Sequence, residues 1–71
     1  MKTKFSEIAR DGISHAKGQI TKLELEIEKM QKLKKNTSGS SAKAKIDEII
    51  KWDKKLISDF RSEIATLKRR L

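Results

Sequence analysis

Two helical apolar stripes interrupted by Asn36-Thr37-Ser38-Gly39-Ser40-Ser41, six residues all small or polar, constrain this chain more than any other feature. Before the break, Phe5, Ile8, Ala9, Ile13, Ala16, Ile20, Leu23, Ile27, Met30 and Leu33 follow one another mainly in steps of three and four. After it, Ala42, Ile46, Ile49, Ile50, Leu56, Ile57, Phe60, Ile64, Leu67 and Leu71 keep the same period. That spacing lines one face of an α-helix, not of a strand. Two stripes joined by so short a break bury each other most simply by folding back as an antiparallel helical hairpin.

Written as heptads, Ile13, Ile20 and Ile27 take position a and Ala9, Ala16, Leu23 and Met30 take d in the first run. In the second, Ile50, Ile57, Ile64 and Leu71 take a, with Ile46, Phe60 and Leu67 at d. The pattern is that of a coiled-coil-like seam. It predicts one all-α domain over residues 1–71, with helix one at about 3–36, a turn at 36–41 and helix two at about 41–71. Each arm then runs about 45 Å. Thr3 is the expected first cap, Gly39 takes a left-handed backbone, and Ser40 or Ser41 caps the second helix. The Asn36-Thr37-Ser38 sequon reads as turn chemistry, because no apolar signal segment follows Met1.

Gly12 and Gly18 each cost a helix about 1 kcal/mol relative to alanine. The apolar phase nevertheless holds across Asp11-Gly12, so one continuous helix is expected. Ala9, Gly12 and Ala16 would let the neighbouring helix approach closely at that end.

A chain of 71 residues with no cysteine and a single histidine, His15, has neither disulfides nor the usual zinc ligands to supplement a small core. The remaining remedy is a partner. Ile49, Trp52 and Leu56 widen the apolar arc of helix two beyond what a single hairpin covers, and Leu25 lies on the back of helix one. Two hairpins associating as a four-helix bundle would cover the flanking stripe. Asp53 occupies a d position where an aliphatic residue is expected. It serves either as a partly hydrated or lysine-paired residue that fixes register and oligomeric state, or as the group that faces a pocket or a partner's basic residue. Leu25, Ile49, Trp52, Asp53 and Leu56 are thus the candidate protein interface.

The chain carries a net charge of +8. Lys29, Lys32, Lys34, Lys35, Lys43 and Lys45 flank the turn with no acidic residue among them, and Lys68, Arg69 and Arg70 meet Lys2, Lys4 and Arg10 at the opposite end. Such clusters suit phosphate contacts, although cations near a helix carboxyl terminus also complement its dipole. Lys29, Lys32, Lys34, Lys35, Lys43, Lys45, Lys68, Arg69 and Arg70 are the candidate phosphate ligands, for DNA or RNA. No base-reading motif accompanies them. Scattered serines without a nucleophile motif, a lone carboxylate at Asp53 and a two-helix frame without a concave pocket argue against catalysis, and no cofactor or metal is expected. The absence of cysteine and of a long apolar run points to a cytoplasmic location without membrane attachment.

In length and heptad layout the chain resembles the Rop family of plasmid RNA-binding regulators, small basic hairpins that dimerise into four-helix bundles. The family's cysteine-bearing pattern is missing here, so the resemblance assigns no functional residue. Two functions are expected from the residues themselves. One is a small self-associating interaction protein, adaptor or inhibitor in type, that presents helix faces to a protein partner. The alternative is a basic module gripping nucleic-acid phosphates.

Overall fold

The computed structural model describes residues 3–71, with side chains from Phe5 onward. Two helices account for nearly all of it: α1 spans Thr3–Lys35 and α2 spans Ser40–Lys68. They fold back on each other into a rod of 58 × 14 × 10 Å. The capping role expected of Thr3, and the places of Lys2 and Lys4 at the basic open end, lie outside the described side chains.

The turn depends on Gly39. Its φ of 114° lies in a region that a Cβ makes costly. Gly39 itself holds the position before α2, with no side-chain cap bond, and Lys43 N–H donates to its carbonyl at 3.1 Å. The cap expected from Ser40 or Ser41 is therefore not formed, because the helix starts one residue earlier and both serines fall inside its first turn. On the other side of the break, Asn36 and Thr37 N–H groups donate to the carbonyls of Leu33 and Lys34, and the Thr37 hydroxyl donates to Leu33 O at 2.6 Å. These bonds occupy carbonyls that the end of α1 would otherwise leave open.

Register follows from two contacts. Gly12 lies against Leu67 near the open end, and Lys34 Nζ meets Asp47 Oδ1 at 2.7 Å near the turn. Continued between them, this register sets Ile13 at about the height of Leu67, Ile20 of Phe60, Leu23 of Ile57, Ile27 of Asp53 and Met30 of Ile50. The buried residues are Ala9, Ile13, Ala16, Ile46, Ile50 and Ile57, together with Asp53. Ile20, Leu23, Ile27, Met30, Phe60, Ile64 and Leu67 are half-buried. Among the described residues no large side chain is fully enclosed. A pair of helices has only one seam, so each large core residue keeps an edge toward water and only the small Ala9 and Ala16 are covered almost completely.

The apolar train of α1 is longer than the seam. Phe5 is exposed because the register gives it nothing on α2 to meet once that helix closes at Lys68, and Ile8 is exposed because it stands at a c position, turned away from the seam that buries Ala9 beside it. Arg70 and Leu71 N–H groups donate to Leu67 and Lys68 carbonyls in a tightened last turn, and Leu71, expected inside the seam, is 56% exposed.

α1 is continuous through both of its glycines, and the two differ in what surrounds them. A Cβ on Gly12 would stand 2.8 Å from Leu67 Cδ1, whereas nothing lies within 4 Å of one on Gly18. With Ala9 and Ala16 both buried, Gly12 completes a strip against which α2 closes tightly. Gly18→Ala should therefore raise stability by about 1 kcal/mol, through helix propensity and a less flexible unfolded chain. Gly12→Ala should gain less, since Leu67 must turn aside. Thermal melts of the two variants check the pair, and equal gains would contradict the close approach at Gly12.

Candidate interaction face

The face is built from two rows, one on each helix. On α2, Asp53 has Ile49 four residues before it and Leu56 three residues after it, so both are its neighbours along the helix surface. Ile49 and Leu56 are 42% and 41% exposed and Trp52 is 57% exposed, while Asp53 is 6% exposed. Asp53 is thus a buried acid bracketed by two exposed aliphatic side chains. On α1, Glu26 has Lys22 and Lys29 at the same helical spacings, with Leu33 one turn beyond Lys29. All four are exposed.

Glu26 and Asp53 are electrostatic neighbours across the seam. The Glu26 carboxyl is held above the ordinary glutamate value chiefly by the neighbouring Asp53 carboxyl, which favours a shared proton and repels a second negative charge. Loss of hydration adds a smaller upward push, and Lys29 pulls the other way. Asp53 Oδ2 is buried with no hydrogen-bond partner among the described residues. A proton on Glu26 can be donated to the Asp53 carboxylate, which explains why the protonated form is favoured. The lysine that might have paired with Asp53 is not there: among the described residues the ion pair within 4.0 Å joins Lys34 to Asp47. Sequence reasoning found Asp53 from its place in the heptad and missed Glu26, whose only signal was a g position beside the seam.

The remaining interface candidates separate. Asp53 is covered by its own chain, so any second chain would reach it only past Glu26. Leu25 is 53% exposed on the outer side of α1, roughly half a turn from the seam, and does not share the face of Ile49 and Leu56. Trp52 borders that face. Lys55 Nζ lies 5.2 Å from the centre of its ring, a cation–π contact, and Glu48, Lys51 and Lys55 border a shallow groove beside it.

Lys29, Lys32, Lys35, Lys43 and Lys45 are exposed around the turn, Lys34 is half-buried against Asp47, and Lys68, Arg69 and Arg70 are exposed at the other end. His15 is exposed as well. Among the described residues no group of three or more His, Cys, Asp or Glu side chains gathers as a metal site, and no helix is long and apolar enough to cross a membrane. The geometry defines a helical hairpin with an uncovered apolar face and basic ends. The sequence matches no family model, and no curated protein or solved structure matches it.

Proposed function

We propose that the chain is a small, non-enzymatic interaction protein of the cytoplasm that self-associates through its helix faces, as a dimer with four-helix-bundle character, and presents them to a protein partner as an adaptor or inhibitor does. The observation that carries this reading is the contiguous exposed stripe of Ile49, Trp52 and Leu56 on α2. A seam of two helices leaves most core residues half covered, and a hairpin that hides only one stripe of each helix gains stability by hiding another. Trp52 is the residue most suited to anchor such a contact, being large and amphipathic at the border of the stripe. Trp52→Ala should weaken association on the order of thirtyfold, the loss typical of a hot-spot tryptophan, as read by sedimentation equilibrium. Unchanged association in this variant would remove the stripe from the interface.

A second reading rests on the exposure of Lys29, Lys32, Lys35, Lys43 and Lys45 around the turn, where they could neutralise backbone phosphates of DNA or RNA. Binding of that kind falls steeply from low to moderate salt and is relieved when those lysines are neutralised, whereas apolar association through Trp52 is nearly insensitive to salt. Absence of binding to a short duplex and to a single strand at low salt would end the second reading.

A further inference from the structure

We infer that one edge of the seam, carrying Arg10 and Lys17 on α1 and Lys54, Arg61 and Lys68 on α2, binds the phosphate backbones of a nucleic-acid duplex. The inference rests on the second reading above and gives it a site away from the turn.

The two edges of the seam differ in chemistry. Ile49 and Leu56 each precede an a residue, Ile50 or Ile57, so they flank the seam on its g side, with Phe5 and Leu33 at g on α1. The opposite edge belongs to the e positions, one turn after each a. There α1 places Arg10, Lys17 and Glu24, and α2 places Asp47, Lys54, Arg61 and Lys68. The ion pair of Lys34 with Asp47 at 2.7 Å shows that this row of α2 borders α1: Asp47 heads it near the turn, and the cations follow one heptad apart.

Beyond Asp47 the row loses its counterparts. The register set by Gly12 against Leu67 and Lys34 against Asp47 brings Arg61 within about one turn of Lys17, and Lys68 within about one turn of Arg10. Cation then faces cation across an edge where paired helices ordinarily set opposite charges. All five cations are exposed, and among the described residues none of them forms an ion pair with a carboxylate. Glu24 closes the cationic stretch toward the middle of the rod, and Glu7 lies one row further out. Like charges held opposite one another cost the free hairpin stability, and an anion laid along them relieves that cost. The ligand is linear and repeatedly charged, because the row on α2 runs about 21 Å from Lys54 to Lys68 at ~1.5 Å per residue. The two rows stand about 8–10 Å apart, as packed helices do, a spacing between the minor- and major-groove widths of a duplex, about 6 and 12 Å. Each row can therefore follow a different strand. No aromatic side chain stands at these e positions to stack an unpaired base, as single-strand binding uses. A membrane surface is disfavoured because the exposed Ile49, Trp52 and Leu56 that could enter a bilayer border the opposite edge.

Fluorescence anisotropy of labelled duplex DNA, duplex RNA and a single strand, titrated with the full chain at rising salt, tests this with Lys17→Gln/Arg61→Gln, Lys43→Gln/Lys45→Gln and Lys17→Glu. Circular dichroism checks helicity. The expected result is that the edge pair weakens duplex binding and lowers the slope of log affinity on log salt by about two, while the turn pair, equal in charge, lowers it by less than about one. Lys17→Glu should raise the melting temperature of the free hairpin at low salt, by setting an anion against Arg61, and still weaken duplex binding. A loss with either duplex supports the site, and the form bound more tightly names the source. Equal losses from the edge and turn pairs, or a loss from the turn pair alone, overturn the edge site and leave the nucleic-acid reading standing. So does binding to the single strand but to neither duplex. Preference for vesicles of anionic phospholipid over both duplexes, or a lowered melting temperature in Lys17→Glu, also overturns it. A wild type that binds no nucleic acid at low salt overturns both readings.

Discussion

Asp53→Leu should stabilise the isolated hairpin by about 1–4 kcal/mol, the range for exchanging a buried ion pair for packed apolar side chains, applied here to a buried carboxyl that has no cation beside it. The residue sits at a d position opposite Ile27, only 6% exposed, with an unpartnered oxygen and a second carboxyl beside it. Leucine would remove the desolvation cost and the repulsion and add apolar contact to the middle of the seam. Urea unfolding in dilute solution, where copies do not meet, measures the change, and a destabilised variant would mean that Asp53 has a stabilising partner in the single chain. The same site gives the wild type its pH dependence. Folding raises the Glu26 pKa, so between the ordinary value of 4.5 and the raised value the folded hairpin holds more proton than the unfolded chain. The associated stability is fully present below the ordinary value and is lost as pH rises through the raised one. A dilute hairpin should therefore melt at a higher temperature as the solution is brought from neutral toward that window, the reverse of the usual carboxylate behaviour. Glu26→Gln and Asp53→Asn should both flatten the profile.

Ile57→Ala should cost about 2 kcal/mol, the lower end of the range for truncating a buried aliphatic side chain. Ile57 is buried opposite Leu23 in the seam, but a two-helix seam is open at both edges and the space left by the missing carbons fills with water instead of remaining an empty cavity. At roughly 0.05–0.15 kcal/mol per residue, a chain of this length holds only a few kcal/mol in total, so the loss is a large share of it. A shift in the urea midpoint without a change in slope is the expected signature. Ile49→Ala, on the uncovered stripe, should leave the dilute hairpin nearly unchanged and act on association. The pair of variants separates what holds one copy together from what joins two.

Both arms, their faces and the break between them were legible because helical period is a local property. Ile13, Ile20 and Ile27 share a face whatever lies opposite, and Gly39 is the residue best able to adopt a positive φ. Where the local signal ended, reading stopped. Phe5 keeps phase with Ala9 and Ala16 yet is exposed, since phase says which way a side chain points and not whether anything is there to meet it, while Ile8 belongs to the same train of threes and fours but falls at a c position off the seam. The start of α2 moved for a similar reason: serine is the stronger cap by type, but the geometry of the reversal put Gly39 in the capping position.

The residues by themselves determined two amphipathic helices, the reversal between them, the small-residue strip at Ala9, Gly12 and Ala16, and a polar intruder at Asp53. Tertiary structure decided that Leu67 closes on Gly12, that Lys34 takes Asp47, and that Asp53 faces Glu26 instead of a lysine. The division has a geometric cause. Cross-helix pairing depends on how many residues the turn consumes, and a slip of one residue rotates a side chain by about 100° while moving it ~1.5 Å along the axis. Spacing within each helix records none of that, so the neighbour of Asp53 became visible only once the chain had turned.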